Sequence, residues 1–200
     1  MTEQVSGKTP AAGEHSNLSG EALAAGNSNN LSGKALAAGN SDLADPITLF
    51  ITWTTYGTWL PGDNRGWRKW KAGEQQPQPL LEDWCRDRMK EKPLTLNESQ
   101  RTEVKTMIRK HASIRGWALH AVSVRSNHAH VAVTACAPPK RVRDQFKANG
   151  TTALRRMKTP VTHEKVWTKG GDIEFIDTDD DLEQVVLYIT ETQDRMDRGK

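Results

Sequence analysis

RSNHAHVAVTAC, residues 125–136, alternates between two chemical characters along its length. Successive side chains of an extended strand point to opposite faces of the sheet. One face would therefore carry small and branched residues that pack well on helices, namely Ala129, Val131, Val133 and Ala135. The other face would carry two imidazoles one repeat apart, followed by smaller side chains: His128, His130, Ala132 and Thr134. The pattern predicts a buried strand with a histidine pair on its second face.

The histidine pair indicates a metal site. The Cβ atoms of His128 and His130 should lie about 6–7 Å apart, so both neutral imidazoles can bind one divalent ion. Two protein ligands leave most of the coordination sphere open, which is typical of catalytic sites, whereas structural zinc takes four protein ligands. An HxH pattern on a strand also occurs without metal, so the remainder of the chain has to support this interpretation.

Length and charge restrict the class of protein. The chain has 200 residues, enough for one domain with attachments, and a net charge of +3. Residues 1–45 carry two lysines against five acidic residues, while residues 46–200 carry 26 basic and 20 acidic residues. The basic part favours a polyanionic partner. The two cysteines cannot form a disulfide framework or a zinc quartet. No membrane span or signal peptide is visible, so we expect a cytoplasmic protein without a membrane partner.

The N-terminal segment predicts a disordered tail. Residues 1–45 are rich in Ala, Gly, Ser and Asn and contain no aromatic residue, so they cannot bury enough apolar surface to fold. They include a 13-residue tandem repeat, NLSGEALAAGNSN at 17–29 and NLSGKALAAGNSD at 30–42. Two such copies do not build a solenoid. We expect the folded domain to span residues 46–200.

A long segment after the first strand combines tryptophans with cations. The first strand is predicted at 47–54, and glycines and prolines argue against any regular element in 55–95. Indole faces beside cations suit unpaired bases and their phosphates. Four residues alternate in this way and are candidate DNA contacts: Arg65, Trp67, Arg68 and Trp70. The alternative is a tryptophan-anchored loop that packs on its own domain.

Two helices and a hairpin are predicted in the centre of the chain. Thr95 and Glu98 fit a capping box for a helix that ends at Gly116. A strand at 117–125 would turn through 126–127 into the histidine strand. A second helix, at 139–157, carries many cations and little compensating charge, which favours contact with a polyanion. Its candidate DNA contacts are Lys140, Arg141, Arg143 and Lys147.

The last third of the chain predicts a strand pair and a final helix. VWTKGGDIEFI, residues 166–176, fits strand, turn and strand. Thr178 or Asp179 would cap a helix with an apolar stripe, and Tyr188 lies at the edge of that stripe. With the last helix set aside, the order of elements predicts an α+β fold, a ferredoxin-like antiparallel sheet with helices on one face. The C-terminal helix that carries Tyr188 is additional.

With these motifs the chain resembles the HUH single-tyrosine transposases, especially the insertion-sequence-200-like and REP-associated tyrosine transposases. The matching segments are LFITWTTYGTWLPGDNRGW at 49–67, RGWALHAVSVRSNHAHVAV at 115–133, KVWTKGG at 165–171 and LYITETQ at 187–193. The resemblance implies a DNA strand transferase that acts on single-stranded DNA beside a hairpin. In it, Tyr188 would attack phosphorus and form a 5′-phosphotyrosine, while His128 and His130 would hold Mg²⁺ or Mn²⁺.

The resemblance also implies a third metal ligand on the tyrosine helix. Thr192 aligns best with Tyr188 in an α-helical projection, whereas Glu191 and Gln193 are chemically better ligands. We favour Gln193 and leave the other two open.

Three other interpretations compete with this resemblance. Histidine-triad hydrolases continue the histidine alternation, but the next positions here are Ala132 and Thr134. Two-histidine phosphoesterases need a second copy of the motif, which the chain does not contain. The serious alternative is a domesticated, non-catalytic nucleic-acid-binding protein of the same fold.

Leu187, on the side of the helix opposite the stripe, indicates a homodimer surface.

Overall fold

The computed structural model describes residues 45–69 and 72–192, so the predicted tail and its repeat lie outside the described residues, apart from residue 45. The described strands are β1 Ile47–Thr54, β2 Trp67–Lys69, β3 Gly73–Gln75, β4 Ala118–Val124, β5 His128–Ala135 and β6 Asp172–Phe175. The described helices are α1 Pro79–Asp87, α2 Glu98–Arg115, α3 Pro139–Arg156 and α4 Asp179–Leu187, and a π-helical turn at Tyr188–Thr192 continues α4.

A four-stranded antiparallel sheet in the order β4-β5-β1-β6 forms the centre of the domain. The units β1-α2-β4 and β5-α3-β6 interleave, since each leaves room for a strand of the other, which is the split βαβ arrangement. The predicted α+β antiparallel fold is therefore confirmed. β2 and β3 form a separate two-stranded hairpin.

Alternation along β1 and β5 gives the sheet two different faces. The first face packs against α2 and α3 and forms the main core, whose larger members include Leu49, Ile51, Trp53, Val104, Ile108, Val131, Val133, Val142, Phe146 and Leu154. The second face carries the histidines and is covered in part by α4 and the π turn. Its smaller cluster comprises Ala121, Ala132 and Ile189, with Phe50, Leu182, Val185, Val186 and Tyr188 packed around it.

The start of α2 differs from the prediction. Its N-cap is Asn97, and the reciprocal capping bonds run between Asn97 and Gln100, so the assignment to Thr95 and Glu98 was wrong. Leu94 and Leu96 are both buried in extended chain ahead of the helix. A helix capped at Thr95 would have moved Leu96 out of this position. The predicted end at Gly116 is confirmed, with φ at +67°.

The segment 55–95 is also more regular than predicted. It contains β2, β3 and α1. Pro79 does not prevent α1, because proline is compatible with the first position of a helix. No residue of α1 is buried, and Leu80 and Trp84 are 86% and 54% exposed. The glycines and prolines that precede this nine-residue helix led the whole segment to be interpreted as irregular, which explains the error.

The strand pair predicted at 166–176 is reduced to β6. Residues 166–171 follow an irregular path with a single bridge between Thr55 and Trp167. Gly171 has φ of +135°, and a Cβ there would lie 2.7 Å from the carbonyl oxygen of Thr52. Glycine therefore lets this segment lie directly against β1. None of the described helices has both the length and the apolar character required to cross a bilayer.

Candidate active site

The histidine pair lies at the start of β5, an inner strand of the sheet, on the face that α4 partly covers. β5 pairs with β1 so that His128 is opposite Thr54 and His130 is opposite Thr52. The centroids of the two imidazoles are 4.7 Å apart. The extended conformation of β5 therefore brings the two rings together, as their spacing on one strand predicts.

Each imidazole is held through its Nδ1 atom. His128 Nδ1 lies 2.7 Å from the side-chain oxygen of Asn127, and His130 Nδ1 lies 2.9 Å from the hydroxyl of Thr52. A hydrogen bond at one ring nitrogen fixes the ring orientation and favours metal binding through the other. Nε2 is thus the nitrogen through which each ring would bind a metal ion.

Asn127 is itself fixed by the loop that follows β1. Its carbonyl oxygen accepts from the backbone N–H of Thr55 at 2.8 Å and from the hydroxyls of Thr55 and Thr58 at 3.2 Å each. Thr55 is fully buried. The turn before His128 is therefore anchored to the core.

His130 is adapted to remain neutral. Its side chain is only 5% exposed. Burial lowers the pKa of His130 to about 3, and the positive charges of His128 and Arg125 act in the same direction. A neutral imidazole is the form that binds metal, so His130 is a competent ligand throughout the physiological pH range.

Tyr188 lies next to this pair. Its ring centroid is 5.5 Å from that of His130 and 6.0 Å from that of Phe50, with near-perpendicular planes in both cases. Phe50 in turn stacks on His130 at 5.6 Å and 19°. Edge-to-face aromatic pairs contribute about 0.5–1.5 kcal/mol beyond burial, so this cluster fixes the position of the phenol ring.

Small residues on the sheet let the tyrosine element approach. Ala121 and Ala132 are buried beneath Ile189, which follows Tyr188. The α4 helix contacts β5, and the π turn contacts β4. A larger side chain at Ala132 would push this turn away from the sheet. The small side chain of Ala132 therefore leaves room for the turn that carries Tyr188.

The described residues supply two candidate metal ligands at this site, His128 and His130. No group of three or more His, Cys, Asp or Glu side chains able to hold a metal is found among them. The third ligand stays a prediction, because Gln193 and the side chain of Thr192 lie outside what is described, and Glu191 is exposed. Tyr188 begins a π-helical turn, in which hydrogen bonds join residues five apart. The α-helical projection that placed Thr192 in line with Tyr188 therefore does not apply here.

Several of the predicted DNA-contacting cations hold the protein's own loops. Arg65 donates to Asp63 through Nε at 2.7 Å and Nη2 at 2.6 Å, and its guanidinium lies 4.8 Å from the ring centroid of Trp59. Hydrogen bonding to Arg65 lowers the pKa of Asp63. Lys147 donates to the carbonyls of Thr168 and Gly170.

The other predicted contacts divide between described and undescribed positions. Arg143 donates to the carbonyl of Gly171 at 3.3 Å and pairs with Asp144. Lys140 and Arg141 are exposed at the start of α3, and Trp67 lies in β2. The side chain of Arg68 and all of Trp70 lie outside the described residues. Leu187 is 40% exposed, and a homodimer surface there stays a prediction.

Sequence reasoning did not identify Thr52 and Phe50 as parts of the site. The available signal was the alternation of β1, in which both residues share the face opposite the core. That alternation predicts the face but not the register with β5, which decides that Thr52 meets His130.

Comparison with known proteins finds similar solved structures, including the following two. A REP-associated tyrosine transposase bound to a REP hairpin aligns with 80% of this chain and 74% of its own, at 14% identity and a TM-score of 0.46. A protein from Deinococcus radiodurans R1, provisionally assigned as a transposase, aligns with 77% of this chain and 95% of its own, at 15% identity and a TM-score of 0.33. No family model and no curated protein matches the sequence.

Proposed function

We propose that the chain is a metal-dependent transposase that cuts and rejoins single-stranded DNA through Tyr188. The observation that carries this proposal is the grouping of His128, His130 and Tyr188. The ring centroid of His130 lies 4.7 Å from that of His128 and 5.5 Å from that of Tyr188. A phenol beside two oriented imidazoles fits nucleophilic attack at a phosphodiester held by a metal ion.

The residues present fit a divalent ion such as Mg²⁺ or Mn²⁺. His130 is neutral because of its burial, and both imidazoles have hydrogen-bonded Nδ1 atoms. The remaining coordination positions would be left to the DNA phosphate, water and a third side chain. When bound, the ion would neutralise charge that develops on the phosphate oxygens.

The chain's own residues would carry out the cleavage and rejoining of the strand. Tyr188 Oη would attack phosphorus, forming the O–P bond while the bond from phosphorus to the 3′ oxygen breaks. The phenol loses its proton and the departing 3′ oxygen gains one, which leaves a 5′-phosphotyrosine and a free 3′-OH. Attack by another 3′-OH on this ester would rejoin the strand without ATP. Phe50 and His130 would keep the ring in place during both steps.

The test is metal-dependent cleavage by histidine variants. The substrate is a library of single-stranded oligonucleotides that carry a hairpin with randomised flanks. His128→Ala and His130→Ala should each abolish cleavage in Mg²⁺ or Mn²⁺, and EDTA should abolish it in the wild type. His120→Ala is the control, since His120 is exposed and binds Thr134 on the same face at 2.8 Å.

Cleavage at the wild-type rate by the double histidine variant would overturn the metal site. A wild-type protein that binds the library but never cleaves it would favour the domesticated nucleic-acid-binding protein instead.

A further inference from the structure

A cavity of about 790 Å³ opens beside the histidine pair. Thr52 and Thr54 line it, and they are the cross-strand partners of His130 and His128. One strand spacing, about 5 Å, therefore separates this cavity from the candidate active site. Its volume lies within the range of about 300–1,000 Å³ that is usual for ligand sites. We call it the indole cavity, because three tryptophans, Trp59, Trp67 and Trp167, line it.

The three indoles offer a ligand no hydrogen-bond donor. Each indole N–H donates to a backbone carbonyl of the protein itself. The acceptors are Gly66 for Trp59 at 2.9 Å, Gln76 for Trp67 at 3.2 Å and Lys147 for Trp167 at 2.9 Å. The rings are thus fixed in orientation, and their N–H groups are already paired. What remains for a ligand is contact with the rings, which suits a flat, unsaturated group. One face of Trp59 is already covered by the guanidinium of Arg65.

The wall that carries Trp167 is held firmly in place. Lys147 Nζ donates to the carbonyls of Thr168 at 2.7 Å and Gly170 at 2.5 Å. The backbone N–H of Thr168 donates to the carbonyl of Thr54, and the two threonine hydroxyls lie 2.8 Å apart. A cavity fixed before binding loses little conformational entropy when a ligand enters.

The charges at the cavity suit a nucleotide. Lys165 and Lys169 line it and are exposed, so they can meet a phosphate group. Asp172 lines the cavity as well. Aromatic faces combined with nearby cations are the usual arrangement for single-stranded nucleic acids.

We propose that the indole cavity binds one unpaired nucleobase of the DNA strand, adjacent to the phosphate at the histidine pair. The base stacks on the indole faces, and Lys165 and Lys169 contact its backbone phosphate. This inference rests on the proposed function, because it takes the same single strand as the substrate. It makes the cavity a specificity element that sets which phosphate reaches Tyr188.

Abasic scanning of the DNA tests the proposal. The probe is the tightest-binding oligonucleotide of the hairpin library, and its affinity is measured by fluorescence anisotropy in EDTA, where the strand stays intact. An abasic substitution at one position should weaken binding to the wild type by about 5- to 150-fold. Trp67→Ala should weaken binding to intact DNA by a similar factor and make that same abasic substitution nearly neutral.

Matched variants separate stacking from folding. Trp67→Phe keeps an aromatic face and should retain most of the dependence on that base. Trp84→Ala should leave all affinities unchanged, since Trp84 lies on the outside of α1, stacked with Arg88, and does not line the cavity. Lys169→Gln should reduce the slope of log K against log salt by about 0.7, the value for one single-strand phosphate contact.

The proposal is overturned if the effects of Trp67→Ala and the abasic substitution simply add at every position, or if no single strand binds. Because the measurement needs no cleavage, its failure is separate from that of the proposed function. Additive effects beside a Tyr188–DNA adduct would remove the base site and leave the transposase. A base-specific dependence without any adduct would leave the base site and remove the transposase.

Discussion

The two faces of the four-stranded sheet are built from the same strands but differ in composition. Toward α2 and α3, β1 and β5 present aliphatic side chains and Trp53, nearly all fully buried. Toward α4 they present threonines, two histidines and Phe50, and the buried cluster there is small. Alternation within each strand thus divides the molecule into a stabilising face and a chemical face. Substitutions on the two faces should separate in the same way, with losses of stability on the first and losses of activity on the second.

The largest effect on stability is expected from Phe146→Ala, on the stabilising face that packs against α2 and α3. Phe146 is fully buried and packs edge-to-face against Trp117 at 5.5 Å and His111 at 5.9 Å. Its removal should lower the free energy of unfolding by about 3–5 kcal/mol, measured by urea titration. Phe50→Ala on the other face should cost less stability but impair cleavage, because Phe50 positions Tyr188. Equal losses of stability would contradict the division between faces.

A smaller effect is expected from Thr52→Val, which removes the hydroxyl beside His130 and keeps the shape. Losing a hydrogen-bonding partner of a metal-binding histidine typically costs about 10- to 100-fold in metal affinity. Calorimetric titration with Mn²⁺ measures this directly. Thr48→Val is the matched control, since Thr48 lies on the same face of β1 and bonds Thr134 instead. Unchanged affinity in Thr52→Val would show that this hydroxyl does not orient the ligand.

The stability of the metal-free protein should depend on pH through His130. Its folded-state pKa is about 3 against 6.5 for the free side chain, so the unfolded chain binds more protons between these values. The contribution of His130 to the free energy of unfolding is therefore fully present above about pH 6.5. It falls toward pH 3, by at most about 1.4 kcal/mol per pH unit. His130→Gln should flatten this part of the curve in urea titrations between pH 4 and 7. Parallel curves for the two proteins would contradict the assignment.

The smallest effect is expected from deleting residues 1–45. Their composition, without aromatic residues, gives them little to bury. The truncated chain should keep its thermal midpoint and its DNA cleavage rate, measured by calorimetry and by gel. A marked fall in either would show that the repeat docks on the domain.

Strand alternation predicted much of the sheet. The period of two in 47–54 and in the histidine strand identified both faces and placed His128 beside His130. Glycine in a left-handed conformation fixed the end of α2 at Gly116. These features depend on neighbours in the chain, which is why they can be read from sequence.

Other features depend on tertiary contacts and could not be predicted. Asn97 rather than Thr95 caps α2 because Leu94 and Leu96 are buried in extended chain. Lys147 was predicted to contact DNA, but its ammonium group donates to the carbonyls of a loop distant in sequence. The contact between Thr52 and His130 requires the register of two strands that are far apart in sequence. Residues that position the site, such as Thr52, could therefore be identified only from the three-dimensional structure.

The central claim is that Tyr188 is the nucleophile, and Tyr188→Phe tests it directly. The variant keeps the ring and its contacts with Phe50 and His130, so it should fold and bind hairpin DNA like the wild type. The measurement is a denaturing gel of protein incubated with library DNA labelled downstream of the cut, in Mn²⁺. We expect a covalent adduct with the wild type and with Tyr56→Phe, and none with Tyr188→Phe. In the wild type the hydroxyl oxygen of Tyr56 accepts from the backbone N–H of Lys90. A denaturant-resistant adduct on Tyr188→Phe would place the nucleophile elsewhere and contradict the account.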